Sequence, residues 1–426
     1  MFETEQPDLD ALAAGDPRRW AEFDVAVRRA WWVSWDMRLG RRPSRDVLAV
    51  AACHANGHLR EAAVLELAVR DDPEVVPLLL VRCVDWVRPI RDLARPLVLS
   101  KLDKPTLRAM LPLIGVLRRR QVDDWMTALF REALPHALEA ALALEDRESR
   151  RWAHREALGL LPRERLLDIA TRDRDLVVRT LCGTALLDRG ECVEELLAAG
   201  APKVRMRALT LVDRAGECLA DRSAAVRSMA QALVLKAGGD PAARYRAMAV
   251  SPASIAGLGE TGTAADAGRL EQALTHERPR VRATAVRGLR RIAPESAAVR
   301  PLLTDPSPAV TRQVVAFLRG KPVDSTALRA LLAADQPLHT RRAAAALLRD
   351  RDVWTRLHTD LALLRDDDLA DSAHRDLHTW LAQSAGIYST PSPELAAEIE
   401  ALLVRVPEGL ARRIRFTLGR PAAAGG

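Results

Sequence analysis

One pattern of apolar and small residues recurs along the chain and predicts helices. The pattern begins with an apolar residue at position 1 and Arg at position 2. A small or apolar residue follows at position 5, and Leu or Val at position 9. The clearest copy is Val281-Arg282, with Ala285 and Leu289. Because residues four apart lie on one face of an α-helix, the three apolar positions predict a buried stripe.

Further copies of the pattern are spread over most of the chain. Clear copies begin at Leu59, Val178, Val204 and Val226, degenerate copies at Arg150, Val310 and Thr340, and weaker ones at Val87 and Val250. From residue 150 onward, successive copies start 22 to 31 residues apart. This spacing is typical of a repeat made of two helices. Between Val87 and Arg150 the pattern is lost, so the number of repeats there stays open.

The segments between the copies support the same interpretation. Turns rich in Asp, Pro and Ser precede most copies, as in Asp305-Pro306-Ser307-Pro308, and such residues mark helix starts and stops. A second apolar helix is expected upstream of each turn, for example Leu328 to Leu332. Helices this short are marginal alone, so each pair needs its neighbours. We therefore predict an all-α fold, an α-solenoid of about ten or eleven two-helix repeats.

The recurring Asp, Val-Arg, Ala and Leu positions resemble the HEAT-like repeat, in the short bacterial form also called the phycobilisome-lyase type. The resemblance covers roughly residues 46–350 and extends through Trp380. It implies that the repeated arginine braces a turn or the adjacent repeat, with contact to a binding partner as the alternative role. The arginines in question are Arg179, Arg205, Arg227, Arg282, Arg312 and Arg341.

The two ends of the chain differ from the repeats. Trp20, Trp31, Trp32 and Trp35 give the N-terminal segment its aromatic density, and Trp31, Trp35 and Leu39 are spaced to share a helical face. Such a face would seal the first repeat. We predict five segments, namely an N-terminal helical cap (1–45), the repeat array (46–385), a Pro/Ser linker (386–393), a C-terminal helical pair (394–420) and a disordered tail (421–426).

Composition places the basic charge in the most regular repeats. The 426 residues include 64 Lys or Arg and 57 Asp or Glu, a net charge of +7, and only 4% of them are aromatic. Residues 151–350 carry 32 basic and 22 acidic side chains, a local net charge of +10, while both ends are nearly neutral. A basic surface of this kind suits a polyanion, which makes nucleic acid the alternative partner.

The chain shows no secretory or membrane signal. Its first basic residue is Arg18, so no cationic segment precedes an apolar one. The longest stretch without charged side chains, Thr379 to Pro393, is shorter than a bilayer span. Five cysteines show no disulfide pattern. We expect a cytoplasmic protein without a membrane contact, and the sequence does not predict an oligomeric state.

Two clusters have residue types suited to metal binding. Asp371, His374 and His378 share a helical face, but position 375 is Arg, where a zinc hydrolase has its catalytic Glu. Cys53, His54 and His58 form the second cluster, in which Asn56-Gly57 is expected to end the helix and to separate the histidines. We interpret both clusters as structural and expect no metal or cofactor.

The motifs of catalysis are weak. No Gly-x-Ser-x-Gly occurs, and the Gly-rich stretch Gly257 to Gly262 lacks the strand and the Lys of a phosphate loop, so it is interpreted as a helix end. Some DNA alkylation-repair glycosylases consist of HEAT-like repeats with Trp, Asp and Arg in a basic groove. Two clusters here offer those residue types: Trp125 with Asp123 and Asp124, and Trp152 with Arg151 and Arg155.

We interpret these tryptophans as large side chains that pack in the core or between repeats. Bilin lyase activity, which gave the repeat type its name, has no supporting motif in the sequence. The expected function is a non-catalytic scaffold that binds a protein partner on the concave face of the array. The alternatives are nucleic-acid binding through residues 151–350 and, less favoured, a glycosylase.

Overall fold

The computed structural model of the chain describes residues 8–30, 33–34, 37–120 and 123–419. These residues form helices and no strand, and the fold is an all-α, α-solenoid type. The chain divides into two compact units, unit 1 (Met1–Leu211) and unit 2 (Val212–Gly426). Among the described helices, none has both the length and the apolar character that a membrane crossing requires.

Unit 1 is a succession of short helices that pack in adjacent pairs, such as α3 with α4 and α12 with α13. A 3₁₀ turn, Arg118–Arg120, follows the seventh helix. The α-helices are α1 (Leu9–Ala13), α2 (Arg19–Arg29), α3 (Arg45–Cys53), α4 (Gly57–Ala68), α5 (Val75–Arg82), α6 (Arg88–Lys101), α7 (Lys104–Leu117), α8 (Trp125–Leu142), α9 (Arg147–Ala157), α10 (Arg163–Arg172), α11 (Leu176–Asp188), α12 (Val193–Ala199) and α13 (Pro202–Leu209).

Unit 2 also consists of short helices that pack in adjacent pairs. Its 3₁₀ helix Ala297–Thr304 packs against α20 in the position of a first helix. The α-helices are α14 (Ala215–Cys218), α15 (Ala224–Lys236), α16 (Pro241–Ala247), α17 (Pro252–Thr261), α18 (Ala267–Gln272), α19 (Pro279–Ile292), α20 (Pro308–Leu318), α21 (Ser325–Ala330), α22 (Leu338–Arg349), α23 (Val353–Leu363), α24 (Ala370–Gln383), α25 (Pro393–Leu402) and α26 (Glu408–Thr417).

The helix starts follow from capping residues in the turns. Ser307 accepts a hydrogen bond from the Ala309 amide at the start of α20, and Ser251 forms a capping box with Ser254 at the start of α17. Pro occupies the first helical position in both helices, where its missing N–H costs no hydrogen bond.

The predicted buried stripe is present. Val281, Ala285 and Leu289 of α19 are fully buried, as are Val310 and Val314 of α20. Burial also corrects the register of two copies. In α6 the stripe is Ile90, Ala94 and Val98 rather than one starting at Val87, which is only the N-cap residue.

In α9 the stripe of residues with no exposed surface is Ser149, Ala153 and Ala157. The arginine at the pattern position is therefore Arg150 and not Arg151. In both helices a neighbouring arginine also fits the pattern, and burial distinguishes the two registers. The register of each repeat copy is therefore identified by its buried apolar or small residues and not by the neighbouring arginine.

A change of layer explains why the pattern is lost between Val87 and Arg150. The odd-numbered helices from α3 to α13 contact one another in order, and α4 contacts α6 in the other layer. The pattern lies on α4 and α6, then on α9, α11 and α13, so it moves from one layer to the other. The transition includes α8, which kinks at Ala137 two residues after Pro135.

The segments outside the repeats are described only in part. Trp31, Trp32 and Trp35 of the predicted cap lie outside the described residues, whereas Trp20 is buried in α2. Leu39 belongs to a non-helical segment, so the predicted helical face does not reach it. That face was predicted from four-residue spacing alone, which cannot show where a helix ends.

The C-terminal helices share one core with the helices before them. Residues 387–392 are non-helical, and Trp354 of α23 donates a hydrogen bond from Nε1 to the Ser389 carbonyl (3.2 Å). Ile399 of α25 and Ile414 of α26 are buried in the same apolar cluster as Trp354 and Trp380. The predicted tail, 421–426, lies outside the described residues.

Candidate functional site

The repeated arginine of α19 connects two consecutive repeats. Arg282 donates from Nη1 to the carbonyls of His276 (2.9 Å) and Glu277 (3.0 Å), in the turn before its own helix. Its Nε and Nη2 donate to the two carboxylate oxygens of Asp305 (2.7 and 2.8 Å), in the turn before α20. Asp305 in turn accepts from the Ser307 amide (2.8 Å). One guanidinium thus fixes two turns at once.

The same arrangement recurs in unit 1. Arg60 of α4 donates to the His54 and Ala55 carbonyls, six and five residues upstream, and to both oxygens of Asp85 in the turn before α6 (2.8 and 2.9 Å). The side chains of Arg60 and Asp85 are both buried, so water does not reach their charged groups. We call this succession of contacts between consecutive repeats the arginine ladder.

Other arginines make partial versions of the ladder. Arg341 of α22 pairs with Asp366 and Asp368 in the turn before α24, and Arg150 of α9 pairs with Asp173 in the turn before α11. Arg227 of α15 differs, because its carboxylate partner is Glu260 in α17 (2.5 Å), although it also donates to the Asp221 carbonyl.

The remaining predicted arginines occupy three different settings. Arg179 of α11 donates to the Ala170 and Ala199 carbonyls, and Arg205 of α13 is buried. Arg312 of α20 is exposed and donates only to the Pro308 carbonyl of its own helix among the described residues. The ladder position of α20 is held by Thr311, which is buried, so Arg312 is turned away from the ladder.

The ladder contact with Arg282 keeps the Asp305 carboxylate charged. Burial by itself would raise the pKa of Asp305, but the hydrogen bonds from Arg282 and from the Ser307 amide outweigh it and hold the pKa below 3.8. The Asp305 bond in turn raises the pKa of Arg282. The pair is therefore ionised at neutral pH.

A second set of arginines lies on the opposite face of α19. Arg280, Arg287 and Arg291 follow one another at seven and four residues, and Ala283, Thr284 and Gly288 fill the turns between them on the same face. These residues line a surface groove of about 1220 Å³ in unit 2, which we call the basic groove. Its other lining residues are Ala220, Arg222, Ala224, Arg227, Ser251, Pro252, Ala253, Ala256, Gly259, Glu260, Pro279, Ala309, Arg312 and Gln313.

Most of the arginine charge in the basic groove is not neutralised by the described residues. Arg222, Arg280, Arg287 and Arg291 are exposed, and none of them forms an ion pair or side-chain hydrogen bond within the part of the chain that the structure describes. Arg227 is different, because Glu260 holds it. The groove thus exposes arginines whose charge is available to a ligand.

Glycine allows the helices below the groove to approach closely. A Cβ atom on Gly259 of α17 would lie 2.5 Å from the Cα of Gly288 in α19. No larger residue fits at that crossing without moving one backbone. The two glycines therefore set the depth of the groove between α17 and α19.

The two clusters with residue types suited to metal binding occupy the following positions. Asp371, His374 and His378 are all exposed on α24. His54 follows the end of α3, and its ring accepts a hydrogen bond from the backbone N–H of Asn56. The side-chain oxygen of Asn56 caps the start of α4 by accepting from the His58 amide. Across the described residues, no group of three or more His, Cys, Asp or Glu side chains is arranged to hold a metal ion.

The tryptophans considered for base recognition have structural contacts. Trp152 is buried, with its ring centroid 4.0 Å from that of Phe130, and Arg118 lies over its face. Trp125 is covered by Arg95, which also pairs with Asp123. Arg151 is held by Asp175 (2.7 Å). The stretch Gly257 to Thr261 forms the last turns of α17.

Comparison with known families agrees with this architecture. Residues 267–349 match HEAT repeats, from the first residue of α18 to the last residue of α22. Residues 267–349 are therefore similar to HEAT repeats, and the matched region includes the α19 and α20 walls of the basic groove. No curated protein matches the chain.

The predicted set includes the ladder arginines Arg282 and Arg341 and the related Arg227, but not the groove arginines Arg222, Arg280, Arg287 and Arg291. Their signal was present, because three of them recur along α19 on the face opposite Val281, Ala285 and Leu289. The repeated pattern marks buried positions, so it does not indicate residues whose common property is exposure.

Proposed function

We propose that the protein is a non-catalytic scaffold that binds another protein in the basic groove of unit 2. HEAT repeats commonly serve as protein-interaction scaffolds, which supports this function. The groove volume of about 1220 Å³ exceeds the range of ordinary small-molecule pockets, ~300–1,000 Å³, and this favours a macromolecule as its ligand.

One observation carries the proposal. On α19, Arg282 is bound by the ladder, whereas Arg280 and Arg287 on the other face are exposed without a described partner. The ladder fixes the helices in place, so the exposed arginines are presented on a rigid surface before a partner arrives. Preorganisation of this kind lowers the entropy cost of association.

The repeats are of the short phycobilisome-lyase type in this proposal, which the 22 to 31 residue spacing supports. A cytoplasmic location is the compartment that best suits the five free cysteines, four of which are buried. No catalytic step and no cofactor are part of the proposed function.

Nucleic acid is the second candidate partner, because the basic excess of residues 151–350 includes the whole groove. The two partners differ in their response to salt. Binding of a nucleic acid releases counterions, so its affinity falls steeply as the salt concentration rises. A gel-shift titration with DNA and RNA at low salt tests this candidate, and no shift removes it.

Photo-crosslinking in living cells tests the proposed function. A photoreactive amino acid at Gln313, which lines the groove, is compared with the same amino acid at Ala330, an exposed residue of α21 outside the groove. We expect a protein adduct from position 313 that is absent from position 330. An adduct with nucleic acid, or no adduct specific to position 313, contradicts the proposal.

A further inference from the structure

We propose that the basic groove binds an extended, acidic segment of the partner, whose carboxylates are held by Arg280, Arg287 and Arg291. The inference rests on the proposed function and adds the chemical class of the bound segment. Four features of the groove carry it: its charge, the helix ends that face it, its shape and the absence of aromatic side chains.

Charge complementarity defines the sign of the ligand. Six arginines and a single acidic residue line the groove, and the acid, Glu260, is already bound by Arg227 (2.5 Å) and by Gln231 (2.9 Å). A positive surface therefore remains, formed by guanidinium groups. Guanidinium binds carboxylates in a planar, two-pronged geometry, which an ammonium group does not provide, and the groove contains no lysine.

Helix ends add to the positive potential. Pro252, Pro279 and Ala309 line the groove, and they lie in the first turns of α17, α19 and α20. Helix N-termini carry a partial positive charge, so a carboxylate beside them is favoured by about 0.3–1 kcal/mol in addition to its contacts with side chains. Both effects favour an anion at the same surface.

The shape of the groove suits an extended chain. Between its arginines, the groove surface on α17 and α19 includes the small residues Ala253, Ala256, Gly259, Ala283 and Gly288. The groove crosses α15, α17, α19 and α20, and packed helices are ~8–10 Å apart, which gives a length of roughly 24–30 Å. An extended chain rises ~3.3 Å per residue, so about seven to nine residues span it.

The lining residues favour a polypeptide over a single-stranded nucleic acid. All of them lie in the described part of the chain, and none is aromatic. Proteins that bind single strands stack bases on aromatic side chains, with ~1–3 kcal/mol for each base. This groove offers arginines and small apolar residues instead, which suit carboxylates alternating with short side chains.

The test uses a fluorescent ten-residue peptide of alternating Glu and Ser, with the same peptide carrying Gln for Glu and a ten-nucleotide oligo-dT as comparison ligands. Fluorescence anisotropy measures each affinity for the full chain. The groove variant is R280Q/R287Q/R291Q. The matched control, R269Q/R290Q/R300Q, removes the same charge from exposed positions of unit 2 outside the groove lining.

We expect the Glu peptide to bind the wild-type protein and the Gln peptide to bind at least about tenfold more weakly, because contacts between charged groups dominate. The groove variant loses at least about tenfold in affinity for the Glu peptide, while the control loses less than about threefold because distant charges are screened. Melting curves of both variants match the wild type, since the changed side chains are exposed.

Three results overturn the inference: no binding of the Glu peptide, equal loss in the groove variant and the control, or tighter binding of oligo-dT that depends on the groove arginines. A protein adduct from Gln313 together with no Glu-peptide binding rejects the acidic segment and leaves the scaffold function standing. Failure of the scaffold itself is seen separately, in the absence of a protein adduct at position 313.

Discussion

Arg282 and Asp305 form a two-pronged ion pair that joins two consecutive repeats, with N–O distances of 2.7 and 2.8 Å. Only 12% of the Arg282 side chain and 5% of the Asp305 side chain are exposed. Two residues earlier, Arg280 is exposed in the basic groove and has no described partner. Helix α19 thus carries one arginine, Arg282, that joins two repeats and another, Arg280, that is exposed to a ligand.

The ladder contact predicts a clear difference between these two arginines. Arg282→Gln leaves Asp305 without its guanidinium and destabilises the protein by about 3 kcal/mol, as for a broken buried ion pair. Arg280→Gln changes stability by less than about 0.5 kcal/mol, as for an ordinary surface substitution. Urea unfolding followed by circular dichroism measures both. Equal effects of the two substitutions contradict the ladder.

The register of the repeat predicts the effect of shortening Leu289. This side chain is fully buried, so Leu289→Ala costs about 2–5 kcal/mol through lost contacts and the cavity left behind. The matched control is Leu235→Ala in α15, where the leucine is 60% exposed, and its cost stays below about 1 kcal/mol. A Leu289→Ala protein with an unchanged urea midpoint shows that the register is wrong.

The contact between α17 and α19 predicts opposite effects for two glycines. Gly259→Ala places a Cβ 2.5 Å from the Gly288 backbone and destabilises by about 1–3 kcal/mol, although alanine favours helices. Gly268→Ala in α18 meets no atom within 4 Å, so it stabilises by about 0.5–1 kcal/mol. Thermal melts separate them, and a stabilising Gly259→Ala excludes the close contact.

A buried carboxyl predicts a pH dependence of stability. Asp360 of α23 is fully buried beside Arg349 (2.7 Å) and Asp376, with Arg356 bound to Asp376. Burial, reinforced by Asp376, raises the pKa of Asp360 from 3.8 to about 8. Between these two values the folded chain keeps a proton that the unfolded chain releases. Stability therefore falls with rising pH, by at most about 1.4 kcal/mol per pH unit.

The variant Asp360→Asn removes this titration. Its stability relative to the wild type increases from pH 5 to pH 8 and then stays constant. Asp371→Asn, at an exposed residue of α24, is the control and keeps the wild-type slope. Guanidinium unfolding at pH 5, 6.5 and 8 measures the slopes, and the same slope in both variants shows that Asp360 is ionised throughout this range.

The fold was accessible from the sequence because its main determinant is local. Spacing of four residues between Val281, Ala285 and Leu289 defines a helical face directly, and turn residues such as Asp305 and Pro308 mark where helices start. The register at Ile90 and Arg150 was not accessible, because neighbouring arginines also fit the pattern and only burial distinguishes them.

The candidate site depended on information that spacing alone does not contain. Arg282 braces two repeats because the next turn offers Asp305. Arg312 faces outward because it lies one position past the ladder position of α20, which the buried Thr311 occupies. The basic groove further requires Gly259 to meet Gly288, a contact across two helices that are about thirty residues apart in sequence.

Crosslinking from Gln313 in the two triple-variant backgrounds tests the central claim most directly. We predict that the protein adduct formed by the wild type is lost in R280Q/R287Q/R291Q and retained in R269Q/R290Q/R300Q. An adduct that persists unchanged in the groove variant, or one that disappears equally in both backgrounds, contradicts the claim that the basic groove is the partner-binding surface.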